Sequence, residues 1–559
     1  MKLAQLGAAA ALVMGTGGLV ATAQSRNYTP VTEAMLENPG QDDWLSWRRT
    51  LSSWGYSPLA QINTENVHQL QLAWSWALER GGSQPAPLVH DGLMFIPQPE
   101  GVVHALNAAT DDLIWEYRRT FATSPNVGLA SRMRSLAIFE DKVYVTTPDA
   151  HIVALDARTG AVAWDETVAD VKLGYRYTSG PIIAKGRIVA GITGCERYKD
   201  DVCFVSAHDA RTGKRLWRTA TIARPGEPGG DTWGDLPAKF RAGGDAWIPG
   251  SYDPQTNLIY WSTAQAKPWA RVSRGTDGDA LYTNSTLALD PETGKMVWYY
   301  QFLPGETHDQ DEVFESILVD HNGRRSLFKM GKLGILWELD RKTGTFVAAH
   351  DLGFQNVVDV DPKTGKTSYR VGMIPKAGVP IEFCPNTQGV RDWRAMAYHP
   401  QVQAFYVLAR LNCERAVFTV PSEKENLGDF SWYGKTSMTG YQSLATLPHP
   451  KSPEHAGSLI AMDMNGTVLW RFPMTTAPLG ATLATGGGLV VGSDSSRHLY
   501  IHDARTGKVL FETRLPSSVL GSPITYAVGG RQFLAIPVGG GQAPRQLNAM
   551  FVFALPERR

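Results

Sequence analysis

The densest run of side chains able to do chemistry is Gly-Glu-Thr-His-Asp-Gln-Asp-Glu-Val-Phe-Glu, residues 305–315. If this segment is extended, residues i and i+2 point the same way, so Asp309 and Asp311 can share one cation. Hard cations take oxygen ligands, and a trivalent ion rewards an additional negative charge. A carboxylate poised beside a polarising metal is also placed to take a proton from a reacting hydroxyl. Taken alone, the same run reads as an acidic loop in solvent. Trp247 lies in a Gly-rich segment, where a tryptophan alone is more often core than a ring platform. The four cysteines are Cys195, Cys203, Cys384 and Cys413. They have no zinc spacing with histidine and no C-x-x-C-H motif, so no c-type haem is attached to this chain.

These residues need a scaffold, and a repeated phrase provides it. Residues 105–115 read ALNAATDDLIW, 154–164 ALDARTGAVAW, 207–217 AHDARTGKRLW and 288–298 ALDPETGKMVW. Residues 461–470 read AMDMNGTVLW, 501–511 IHDARTGKVLF, and a weaker copy, ELDRKTGTFVA, starts at Glu338. An alternating strand ends at Asp, a tight turn places Gly at positive φ, and a second strand carries Trp or Phe. Each unit is a small antiparallel meander that must stack on its neighbours to bury its faces, so the Trp reads as core between units. A closed ring of four-stranded blades protects the strand edges. The expected fold is therefore all-β, an eight-bladed propeller, with one or two degenerate blades in the region 345–460.

The 559-residue chain is 43% hydrophobic and 19% charged, which excludes a disordered or collagen-like protein. Lys+Arg and Asp+Glu are both 54, so no basic field exists to gather phosphates and a nucleic-acid protein is excluded. Residues 1–23 combine Lys2, a short apolar stretch and an Ala21-Thr22-Ala23 cleavage site, the pattern of a secretory signal peptide. Residues 24–559 are then a single propeller domain, soluble and with no transmembrane segment. Export points to the periplasm, where disulfides form. The even cysteine count favours two of them; sequence order suggests Cys195–Cys203 and Cys384–Cys413, among three possible connectivities.

The A-x-D-x-x-T-G-x-x-x-W repeat resembles the tryptophan-docking motif of the pyrroloquinoline quinone (PQQ) dehydrogenases. Residues 243–269, GGDAWIPGSYDPQTNLIYWSTAQAKPW, are similar to the long insertion of that family, and the resemblance runs from about Asp43 to about Phe553. It implies an alcohol dehydrogenase that binds PQQ and Ca²⁺ or a lanthanide. Trp247 takes the place of the tryptophan that stacks on the quinone. Arg134, Thr147, Thr193, Gly194 and Lys332 fall at quinone-contacting positions, with Gln84, Cys195 and Asp392 grouped beside them. Glu196 corresponds to the carboxylate metal ligand; Gln265 replaces the usual Asn ligand, keeping the amide oxygen one methylene further out. Asp309 corresponds to the catalytic aspartate, and Asp311 to an extra acidic ligand of lanthanide-using members. Asp309 would take the hydroxyl proton, and Lys332 would stabilise charge on the quinone oxygens.

The departures carry expectations of their own. Gly128-Leu129 stand where the family's adjacent cysteines lie, and a Cys195–Cys203 bridge is expected to stiffen the cofactor roof instead. Gln84 stands where methanol-type enzymes have Glu, and His308 and Gln310 replace Trp and Tyr. These features resemble the sorbose-dehydrogenase-like branch and imply a substrate larger than methanol: a polyol, a sugar or a bulky alcohol. Electrons would pass to a separate soluble cytochrome c. The alternative from another class is a non-catalytic propeller scaffold of the outer-membrane assembly type, opposed here by the absence of a lipobox cysteine.

Overall fold

A computed structural model describes residues 28–121, 132–420, 440–539 and 547–557. The leader at 1–23 and the Gly128-Leu129 position lie outside the described residues. Strands dominate, and eight sheets have four or five of them. A typical sheet takes four consecutive strands, as in Ala137–Phe139, Lys142–Thr146, His151–Asp156 and Val162–Thr167. The third strand ends at the repeat's Asp and the fourth carries its Trp. One sheet joins the two ends of the chain: Gln71–Ala77 pairs with Ala549–Ala554, outside the last two hairpin strands.

The repeat works as a device between sheets. Asp156 Oδ1 accepts the amides of Arg158 and Thr159 at 3.1 and 3.0 Å and the Thr159 hydroxyl at 3.0 Å, which fixes the turn. Gly160 follows at φ 73°, and a Cβ there would lie 2.7 Å from the Trp115 ring of the preceding sheet. Trp115 in turn donates its Nε1–H to the Ala157 carbonyl at 2.9 Å. The same pair of contacts links Trp164 to Gly213 and Ala210, Trp217 to Gly294 and Pro291, and Trp470 to Gly507 and Ala504. These tryptophans are core between units, as their spacing indicates. In the weak copy Ala348 stands at the Trp position, and the glycine of the next unit, Gly466, lies against His350 two residues on. Tyr526, in the sheet of the chain ends, donates to the Ala108 carbonyl at 2.7 Å and so reaches the Leu88–Arg118 sheet.

The region 345–460 differs in form from a degenerate repeat. After Phe346–Asp351 come a hairpin, Val358–Val360 with Thr367–Tyr369, and a three-stranded sheet of Ile381–Phe383, Asn412–Phe418 and Tyr441–Pro448. These additions interrupt an otherwise regular four-stranded sheet, Ala397–His399, Ala404–Arg410, Gly457–Asp463 and Val468–Met474. The periodicity is hidden by insertion, and the strands themselves are present. Both disulfides join the cysteines in sequence order, Cys195–Cys203 and Cys384–Cys413. No helix among the described residues is long and apolar enough to cross a membrane.

Candidate functional site

Irregular segments between the sheets converge on one cavity of about 160 Å³. The 308–315 segment is fastened by buried groups. Asn284 donates to the Gln310 carbonyl at 3.0 Å and accepts from the Glu312 amide at 3.1 Å. Glu315 is ion-paired with Arg391 and accepts the Met396 amide at 3.0 Å, so this segment is tied to the 391–396 segment carrying Asp392. Gly389, at φ 66°, lies against Lys332; a Cβ there would approach the lysine side chain to 2.5 Å. A loop fixed in this way keeps its charged groups from relaxing toward water.

The 305–315 segment is not extended, contrary to the sequence expectation. Asp309 has φ 65°, in the left-handed region, and the chain bends at 308–309. Its carboxylate and that of Asp311 nevertheless reach one cation, the Lys332 ammonium, at 3.0 and 3.3 Å. Lys332 also donates to the Asp309 carbonyl at 2.8 Å. Asp309 accepts a hydrogen bond from Gln265 Nε2, and Asp311 accepts the Gln265 amide at 3.1 Å. Asp309 is fully buried, and burial holds its pKa well above the ordinary carboxylate range against the pull of Lys332. Burial acts against the Lys332 ammonium too, but Asp309, Asp311 and Asp392 outweigh it and raise its pKa.

Glu196 faces a second lysine. Lys267 Nζ is 3.2 Å from Glu196 Oε1, and Arg176 lies 3.8 Å from Oε2. Lys267 is 3% exposed; burial disfavours its charge, and Glu196, Asp309, Asp311 and Asp245 together overcome this and raise its pKa. Burial and the neighbouring Glu196 push the Asp245 carboxyl up. Among the described residues these carboxylates do not bring three acidic oxygens within 4.8 Å of one another. The group that meets that spacing, Cys384, Cys413 and His449, has both sulfurs in a disulfide. Two buried acceptors of the site, Gln265 Oε1 and Asp245 Oδ2, have no hydrogen-bond donor. Buried acceptors without donors beside hard carboxylate oxygens are the donor set a metal cation requires, so these residues fit one.

The other wall is aromatic and cationic. Trp247 and Trp393 both line the cavity and are half-buried. The Arg134 guanidinium lies 4.9 Å from the Trp247 ring centroid, and Phe314 meets the ring edge-on at 5.4 Å. Arg134 donates to Gln84 Oε1 at 2.9 Å and to the Thr178 carbonyl at 2.7 Å. A flat ring, a guanidinium and an ammonium around one cavity can hold a planar, anionic ligand.

Of the residues singled out in the sequence, Arg134, Thr193, Glu196, Trp247, Gln265, Asp311, Lys332 and Asp392 line this cavity. Asp309 lies immediately behind Gln265 and Lys332. Gln84 lines a smaller adjoining pocket and acts on the site through Arg134. Gly194 and Cys195 turn their amides to Asp245 Oδ1, at 2.7 and 3.0 Å, and the Cys195–Cys203 bridge lies behind that carboxylate. Thr147 lies outside the lining: its hydroxyl donates to Asp149 at 2.5 Å and its amide to the His151 carbonyl, and Thr178 stands at the wall instead. Sequence reasoning missed Lys267, Asp245, Arg176 and Trp393. Lys267 was legible, two residues beyond Gln265 in the same matched segment; Arg176 has no local signal.

Comparison with known proteins gives this arrangement its context. Residues 44–351 and 375–534 match the family described as "PQQ: Glucose/ethanol/alcohol dehydrogenase, beta-propeller domain". The chain is 32% identical over 523 residues to quinohemoprotein alcohol dehydrogenase ADH IIB of Pseudomonas putida, covering 89% of this chain and 74% of that protein. It is 32% identical over 597 residues to the dehydrogenase subunit of the quinone alcohol dehydrogenase of Gluconobacter oxydans, covering 96% and 75%. Among solved structures, a europium-containing methanol dehydrogenase superposes with a TM-score of 0.84 at 25% identity, covering 93% of this chain and 99% of that one.

Proposed function

The chain belongs to the family of PQQ-dependent alcohol dehydrogenases and has its β-propeller domain, and from that premise we propose a periplasmic enzyme that oxidises a primary or secondary alcohol to an aldehyde or ketone. The single observation that carries this reading is the convergence of Trp247, Arg134 and Lys332 with Glu196, Gln265 and Asp311 on one cavity. Eight sheets of four or five strands support an eight-bladed ring in one domain over 24–559. PQQ held there would supply the two-electron acceptor for the carbinol carbon, and a cation held beside it would supply the polarising charge.

The protein's own residues do the rest. Trp247 and Arg134 hold a planar acid against one wall and fix its orientation. Glu196, Gln265, Asp309 and Asp311 would supply oxygen donors for Ca²⁺ or a lanthanide; the structurally similar methanol dehydrogenase contains europium. Asp309 takes the proton from the alcohol hydroxyl; its burial favours a base that titrates nearer neutrality than an exposed aspartate. Lys332 holds Asp309 in position and stabilises negative charge beside it. His308, fully buried with its ring 4.8 Å from that of Phe383, lies outside the cavity lining, so its ring takes none of the cavity. This favours a polyol, sugar or bulky alcohol over methanol. The acceptor we propose for the electrons is a separate cytochrome c.

The test is dye reduction by purified protein supplied with PQQ and either Ca²⁺ or La³⁺, across primary, sugar and bulky secondary alcohols. Metal-dependent oxidation of the larger alcohols is expected. Absence of oxidation with either metal, despite a bound quinone, would leave a non-catalytic propeller.

A further inference from the structure

Lys267 has no part in the reaction as derived, yet it is among the most deeply buried charges of the site. Its ammonium is 3.2 Å from Glu196, and its surroundings are Glu196, Asp245, Asp309 and Asp311. It is held from behind by the Trp269 ring, 5.1 Å away, and its strand, Ala266–Lys267, is paired with Ala242–Gly243 just before Asp245. The backbone thus delivers a fixed positive charge into the carboxylate cluster.

The charges of the cluster can be counted. Four carboxylates face it, and Lys332 neutralises one of them by contacts at 3.0 and 3.3 Å. Arg176 and Asp392, one of each sign, line the same cavity and offset each other, Arg134 is engaged with Trp247 and Gln84, and Arg132 adds one positive charge at the cavity wall. Two negative charges would remain without Lys267, and one remains with it. A trivalent ion gains half as much again as a divalent ion from every negative charge near it, and loses correspondingly more to a positive one.

Building on the proposed metal-dependent reading of this site, we propose that Lys267 is a resident counter-cation that sets the charge of the metal the site accepts, favouring a divalent ion over a trivalent one. Asp311 alone points the other way, to a lanthanide. Lys267 cancels that additional carboxylate, so the pair, and not Asp311 by itself, decides the metal.

The test measures metal binding directly, by calorimetry on the purified full-length protein without quinone, using CaCl₂ and LaCl₃. It compares wild type with Lys267→Met, which keeps the stem and removes the charge, and Lys267→Arg, which keeps the charge. Lys267→Met is expected to raise the La³⁺-over-Ca²⁺ affinity ratio by about 100-fold, the effect of one unit charge a few ångströms away at an effective dielectric constant of about 20. Lys267→Arg is expected to keep the wild-type ratio. A ratio in Lys267→Met within threefold of wild type overturns the proposal, as does failure of either ion to bind wild type and variant alike. If Lys267→Met does not fold, wild type decides: a La³⁺ preference beyond about 1000-fold contradicts a cation-discounted site. Quinone absorbance recorded after PQQ is then added to these samples separates the two claims, since a wild type that does not bind PQQ counts against the enzyme and leaves the metal ratio standing on its own.

Discussion

The aspartates of the repeat turns and the aspartates of the cavity are the same side chain under opposite physics. Asp156, Asp209 and Asp290 sit at sheet edges, where partial burial works against the charge and turn amides and threonine hydroxyls, joined at Asp156 by Arg158, together outweigh it, lowering the pKa of each. Asp309 and Asp245 are buried and both are pushed up, chiefly by burial; Asp245 Oδ2 has no hydrogen-bond donor, and Asp309 is met by the Lys332 ammonium and the Gln265 side chain. The first kind is satisfied by its own turn and serves the fold. The second kind is held by buried side-chain charges and amides, and beside it Asp245 Oδ2 and Gln265 Oε1 are left for something that is not protein, which is the mark of a site. The difference teaches that an acidic residue in this chain is read from what answers its oxygens.

Breaking the cavity side of this contrast has the largest effect. Asp309→Asn keeps the shape and removes the base, so alcohol-dependent dye reduction is expected to fall by about 10³-fold while quinone absorbance remains. On the repeat side, Trp217→Ala removes a ring buried between two sheets together with its hydrogen bond to Pro291. It is expected to cost about 3–5 kcal/mol in chemical denaturation and to leave PQQ affinity unchanged in the folded fraction. Gly160→Ala sharpens the same point, since it places a Cβ 2.7 Å from Trp115 at φ 73°; about 2 kcal/mol is expected, read as a lowered thermal midpoint.

The smallest effect is on pH dependence. The turn aspartates have depressed folded pKa values, so the unfolded chain binds protons more readily. Their contribution is complete above the ordinary value of 3.8 and is lost as pH falls from there through the depressed folded pKa. Converting Asp156, Asp209 and Asp290 to Asn should flatten the acid limb of a stability–pH curve by well under 1 kcal/mol per site, the size of exposed electrostatics.

Much of this contrast was legible in the sequence, for reasons that differ by region. The turn Asp–x–x–Thr–Gly and its Trp are local: three or four residues satisfy one another, so the pattern alone reveals their role. Sequence order also anticipated the Cys195–Cys203 and Cys384–Cys413 pairs. The cavity is assembled from segments more than a hundred residues apart, and its members were recognisable only where a long motif kept them in register, as with Trp247 and Gln265. The bend at Asp309 was not legible, because a positive φ at a non-glycine residue depends on the surrounding clamp of Asn284, Glu315 and Arg391. Thr147 was misplaced relative to the wall for the same reason: a neighbouring loop supplies Thr178 at that point.

The measurement that bears most directly on the central claim is a PQQ titration of purified wild type and Trp247→Ala in the presence of Ca²⁺, following quinone absorbance and tryptophan fluorescence. Saturable one-to-one binding by wild type, weakened by at least tenfold in Trp247→Ala at unchanged folding, is the predicted result. Binding that is absent in wild type, or equal in the two proteins, would contradict a quinone site in this cavity.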